Sequence, residues 1–89
     1  PRLEFDDGQT FLIPHGDYET GRYQIRPTDQ RVSRRQFIVS CNGEISIHHA
    51  NGPNTTRVGG VTATRPIRLS DGNELRIARL AARFASDSL

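Results

Sequence analysis

Gln36-Phe37-Ile38-Val39-Ser40-Cys41-Asn42-Gly43-Glu44-Ile45-Ser46-Ile47-His48-His49 is the stretch whose reading decides the fold. In an extended chain Phe37, Val39 and Cys41 share one face, and Ile45 and Ile47 alternate with Glu44, Ser46 and His48. Asn42-Gly43 between the two runs tolerates the positive φ of a tight turn. The spacing predicts an antiparallel hairpin with one buried face.

Working outward, turn signals recur roughly every ten residues. Asp7-Gly8, Asn51-Gly52, Gly59-Gly60 and Asp71-Gly72-Asn73 separate short apolar runs, the pattern of an all-β sandwich or barrel. Leu3-Glu4-Phe5 and residues 10–13 flank Asp7-Gly8 as a first hairpin, closed by Pro14-His15-Gly16. Residues 18–23 form a candidate strand, with Gly21 marking an irregularity or a close backbone approach. Pro27-Thr28-Asp29 carries turn chemistry, and residues 50–60 read as a polar loop with Gly59-Gly60 as a tight turn. Ile67 and Leu69 alternate around Arg68. Residues 74–85 fit two periods. As strands, Leu75 and Ile77 alternate with Arg76, and Leu80, Ala82 and Phe84 with Ala81 and Arg83; as a helix, Arg76, Arg79 and Arg83 share a basic face.

Composition narrows the function classes. The chain has 89 residues and 34% hydrophobic content, suited to sheets with one solvated face each. We read residues 1–89 as a single domain with a core over 3–84, excised from a longer protein because the first residue is not Met. One cysteine, Cys41, excludes an internal disulfide framework. No apolar run approaches the roughly 18 residues of a membrane helix. The net charge of +2 does not demand a nucleic-acid partner. All 12 basic residues are arginine, which points to a GC-rich bacterial source. Arginine's planar fork also suits bidentate contact with phosphate or carboxylate.

Three of those arginines cluster in Arg31-Val32-Ser33-Arg34-Arg35-Gln36. Fixed charge beside a serine hydroxyl is phosphate-binding chemistry; the competing reading is a solvated, arginine-rich loop. Other constellations carry less. Adjacent His48 and His49 face opposite sides of a strand, so they do not ligate one metal. Ser33 with His15 or His49 lacks a nucleophile-elbow pattern, and Gly59-Gly60 lies in no phosphate-binding glycine motif. None of these constellations calls for a catalytic site, a cofactor or a metal.

Read in order, the chain carries Gly21-Arg22, then Ser33-Arg34-Arg35-Gln36 before a strand, then Asn54-Thr55-Thr56-Arg57-Val58-Gly59-Gly60 after a hairpin, then Leu69-Ser70-Asp71-Gly72-Asn73. This order resembles the forkhead-associated (FHA) domain, whose pattern runs Gly-Arg, Ser-x-x-His, Asn-Gly-Thr-x-Val-Asn-Gly and Leu-x-x-Gly-Asp. The resemblance covers nearly the whole chain. It implies a β-sandwich of two twisted, mainly antiparallel sheets with recognition loops at one end, and a module that binds phosphothreonine. On that resemblance the phosphopeptide-binding residues are Arg22, Arg31, Ser33, Arg34, Asn54 and Thr56. Arg22 and Ser33 would contact phosphate, Arg31 would assist, Arg34 would lie on the binding surface and Asn54 would hold the peptide backbone. The stretch between Gly21 and Ser33 is short for the family, which leaves Arg26 as an alternative to Arg22. Gln36 replaces the motif histidine that braces the loop, Pro53 a small polar residue, Thr55 a glycine and Gly59 the second asparagine.

The expected partner is a phosphothreonine-containing protein, a Ser/Thr kinase or its substrate, met in the cytoplasm without membrane contact. Two alternatives stay open. One is a degenerate domain that assembles proteins independently of phosphate. The other is a small basic nucleic-acid binder using residues 31–35 and a helical Arg76/Arg79/Arg83 face.

Overall fold

Side chains that alternate between a wet and a dry face build the strands that carry most of the core. The structure, a computed structural model, describes residues 1–25 and 29–86. In chain order the elements are β1 (Arg2–Phe5), β2 (Thr10–Leu12), β3 (Gly16–Thr20), α1 (Arg22–Ile25), β4 (Phe37–Asn42), β5 (Glu44–His49), β6 (Thr56–Val58), β7 (Val61–Thr62), β8 (Ile67–Arg68), β9 (Glu74–Ile77) and β10 (Leu80–Ala85). The strands form a six-stranded sheet ordered β2-β1-β10-β9-β6-β7 and a four-stranded sheet ordered β3-β4-β5-β8. All pairings between them are antiparallel. The expected all-β sandwich is what the chain forms.

The core lies between the sheets. Leu3, Phe5, Leu75, Ile77, Leu80, Ala82 and Phe84 of the larger sheet meet Phe37, Val39, Cys41 and Ile47 of the smaller one. Leu3 pairs with Phe84, so the first and last described strands lie side by side. In the hairpin of β4 and β5, Val39 pairs with Ile47 and Cys41 with Ile45. That register keeps the apolar residues on one face; a slip of one residue would set Cys41 against Glu44.

Two expectations need correction, and one open alternative is decided. The strand read at 18–23 ends at Thr20, and the chain turns into α1 at Arg22. The loop read at 50–60 gives way to strand at Thr56, and Gly59-Gly60 joins β6 to β7. Residues 74–85 are strands, not a helix: Leu75, Ile77, Leu80, Ala82 and Phe84 are buried while Arg76 and Arg83 are exposed. Pairing with β1 and β6 overrides the helical propensity of Ala, Leu and Arg. The single basic helix face needed by the nucleic-acid reading does not form. The turn at Pro27-Thr28-Asp29 and the alternative Arg26 fall wholly or mainly outside the described residues.

Candidate functional site

The loops after β3 and β5 and the turn after β9 meet at one end of the sandwich. Their contact begins at Gly21. A side chain there would overlap the Arg34 carbonyl, so only glycine lets the two backbones approach. Arg22 follows, and its backbone N–H donates to the Ser33 carbonyl at 2.9 Å. Its side-chain Nε donates to the Val32 carbonyl at 2.8 Å. The guanidinium is thereby pinned beside the Ser33 loop, and its two terminal nitrogens have no partner among the described residues. Gln24 closes the turn by accepting the Gly21 N–H through Oε1 at 2.8 Å.

Gln36 ties this loop to the next. Its side chain is fully buried. Oε1 accepts the Ser33 N–H at 2.9 Å, and Nε2 donates to the Asn54 carbonyl at 2.8 Å and to Thr56 Oγ1 at 3.1 Å. One acceptor and both donors of the amide are engaged. The glutamine therefore braces the loop as the family histidine is expected to do. Asn54 adds a second tie, its Nδ2 donating to the Arg31 carbonyl at 2.9 Å. The other amide hydrogen and Oδ1 of Asn54 have no partner among the described residues.

His49 completes the brace from β5. Its Nε2 lies 3.1 Å from the Gly52 carbonyl and its Nδ1 lies 3.2 Å from Thr56 Oγ1. A carbonyl only accepts, so Nε2 carries a proton in this contact, and Thr56 Oγ1 also lies 3.4 Å from the Gln36 carbonyl. Gly52 sits against the site with φ at 102°, and a side chain there would overlap Ser33 Oγ. Thr55 does not adopt positive φ. The left-handed residue of this loop is Gly52, ahead of Asn54.

The charged side chains divide into engaged and free. Arg31 is tied to Asn54 through its backbone carbonyl, while its guanidinium forms a bidentate pair with Asp29, Nε to Oδ1 and Nη2 to Oδ2 both at 3.0 Å. The Asp29 hydrogen bonds, and then its charge, hold that guanidinium's pKa above its ordinary value. Arg35 forms a bidentate pair with Glu19 of β3 at 2.9 Å. Arg34 is exposed and has no side-chain partner among the described residues.

Of the six sequence-derived residues, the structure gathers Arg22, Arg31, Ser33, Arg34 and Asn54 at this end. Thr56 differs: it is fully buried beneath the loops, with its hydroxyl engaged by Gln36 and His49, so it supports the surface and does not belong to it. Sequence reasoning missed His49 and Gly52. His49 was visible as half of a histidine pair, but its contacts with Gly52 and Thr56 depend on how the loop folds back.

No family model and no curated protein matches the chain. Solved structures do. One, from work on phosphothreonine-dependent FHA domain interactions, is 26% identical with a TM-score of 0.85, covering 99% of this chain and 97% of its own. The FhaA FHA domain, complexed with the intracellular domain of Rv3910, is 27% identical with a TM-score of 0.79, over 92% and 96% of the two chains. The FHA domain of human APLF, in complex with an XRCC1 bisphospho peptide, shares the fold at 22% identity and a TM-score of 0.78, over 96% of each chain.

Proposed function

The chain belongs to the forkhead-associated family, and from that premise we propose that it binds phosphothreonine in a partner protein as a non-catalytic recognition module. One observation carries this reading: Arg22 is held by Val32 at 2.8 Å beside Ser33, with its terminal nitrogens unengaged. A guanidinium fixed by one bond offers its remaining fork to a phosphate without losing side-chain freedom at the moment of binding. Ser33 Oγ donates to a second phosphate oxygen, and Arg34 adds charge from the exposed side. Asn54 uses its free amide groups on the peptide backbone beside the phosphoresidue. Arg31 assists by turning its guanidinium from Asp29 toward the phosphate.

A phosphothreonine is written by a Ser/Thr kinase, so the partner is such a kinase or its substrate, met in the cytoplasm. The 26% identical neighbour described in work on phosphothreonine-dependent FHA domain interactions supports a phosphothreonine-containing partner. The arginine-only basic composition supports a bacterial setting.

Calorimetric titration with a phosphothreonine peptide and its unphosphorylated twin tests the reading. The phosphopeptide should bind and the twin should not. Ser33→Ala and Arg22→Ala should each weaken binding by about 1.5–3 kcal/mol, the range for hydrogen bonds to charged groups. Equal affinity for the two peptides would replace this reading with phosphate-independent assembly.

A further inference from the structure

The phosphothreonine site leaves a second basic feature unused. Strand alternation turns Arg57 of β6 and Arg76 of β9 outward on the larger sheet, and the register sets them directly opposite each other. Like charges at such positions repel, and neither residue has an acidic partner among the described residues. Arg76 makes one long bond, from Nη1 to the Arg79 carbonyl at 3.4 Å. Arg79 itself is exposed in the turn between β9 and β10, and its side chain has no partner among the described residues.

This turn is physically joined to the recognition loops. The Ala78 N–H donates to the Thr55 carbonyl at 2.9 Å, and Thr55 follows Asn54. Arg79, Arg76 and Arg57 therefore descend from the recognition end onto the sheet's outer face. They lead to a concavity of about 590 Å³ that Arg57 and Arg76 help to line. The small Ala81, adjacent to Arg76 in the next strand, leaves room there. Among the described residues three carboxylates border the concavity: Glu74 lies 3.9 Å from Arg83 and Glu4 lies 3.0 Å from Arg2, while Asp6 makes no ion pair with Arg57 or Arg76.

We propose that Arg79, Arg76 and Arg57 form a track that takes an acidic flank of the phosphothreonine partner, a run of Asp or Glu residues beside the phosphoresidue. The proposal rests on the phosphothreonine reading above. Unpaired guanidinium forks at cross-strand spacing match successive carboxylates. A peptide flank fits because the track starts at the loops proposed to hold the phosphoresidue, joined to them by the bond from Ala78 to Thr55.

The test uses three peptides with one phosphothreonine core: neutral flanks, four acidic residues before it, or four after it. Each is titrated calorimetrically into the wild type and the double variant Arg57→Gln/Arg76→Gln at low salt. One acidic peptide should bind the wild type about five- to tenfold tighter than the neutral one, with the gain shrinking as salt rises. The double variant should lose that gain, keep the neutral peptide's affinity and melt no lower than the wild type. An absent gain, or a gain that survives in the variant, overturns the track. So does an arginine-dependent preference for a single-stranded oligonucleotide over the acidic peptides. If no phosphothreonine peptide binds, the phosphothreonine reading fails by itself. An unphosphorylated acidic peptide then decides the track: binding lost in the double variant upholds it, and no binding overturns it.

Discussion

Gln36 Oε1 lies 2.9 Å from the backbone nitrogen of Ser33 and accepts its hydrogen, so the residue expected to touch phosphate is positioned by a buried amide three residues away. The same amide reaches Asn54 and Thr56, which makes Gln36 the joint between two loops. Gln36→Ala leaves the Ser33 N–H and the Asn54 carbonyl without their partner. It should cost about 2–4 kcal/mol in urea unfolding, since each unsatisfied buried group costs about 1–3 kcal/mol. Gln36→His restores one acceptor and one donor, and should cost less than the alanine change. An alanine variant as stable as the wild type would remove the brace from this account.

Gly21→Ala tests the backbone contact on the other side of Ser33. A methyl group there meets the Arg34 carbonyl, which is backbone and has no rotamer by which to withdraw. The loops must separate, at a cost of about 1–3 kcal/mol. Because Arg22 is held to Ser33 and Val32 across this contact, phosphopeptide affinity should fall together with stability. Unchanged melting and unchanged binding would show that the approach is looser than described.

The fold is legible where polarity has one period and obscure where it has two. In residues 36–49 only the strand period separates Phe37, Val39, Cys41, Ile45 and Ile47 from their polar neighbours, and the hairpin follows. In residues 74–85 Leu75, Ala78 and Ala82 satisfy a helix as readily as Leu75 and Ile77 satisfy a strand. The pairing with β1 that decides between them lies at the far end of the chain. At the site, the order of Gly21-Arg22, Ser33 and Asn54 is visible in sequence. The engagement of Gln36 with Asn54, 18 residues away, is not. Nor is the approach of Gly52 to Ser33, which no local pattern encodes.

Glu19 and Arg35 offer a pH-dependent check on the β3 edge. The hydrogen bonds from Arg35, with a smaller contribution from its charge, lower the Glu19 carboxyl pKa from its ordinary value. A carboxylate with a depressed folded pKa stabilises the native state above the unfolded value of about 4.3. That stabilisation is lost as pH falls through the lower folded value. Wild type and Glu19→Gln should therefore differ slightly at neutral pH and converge in acid, with the difference shrinking at high salt because both side chains are exposed. A difference that grows on acidification would reverse the assignment. Phosphopeptide affinity should change little, since Arg35 is already engaged away from Ser33.

Arg57 and Arg76 set recognition against stability on the outer face of the larger sheet. Their direct cross-strand register places two positive charges where an opposite pair would contribute roughly 0.2–1 kcal/mol. Arg57→Glu converts repulsion into attraction and should stabilise the chain by up to about 1 kcal/mol, measured as a higher urea midpoint with an unchanged slope. The same substitution should weaken binding of acid-flanked phosphothreonine peptides and leave neutral ones alone. A destabilised Arg57→Glu would mean that the arginine contributes packing through its aliphatic stem. Stabilisation together with undiminished acidic-peptide binding would leave the unpaired arginines without the role assigned to them. Stabilisation gained at the expense of acidic-peptide binding is the pattern expected of charges placed for a partner.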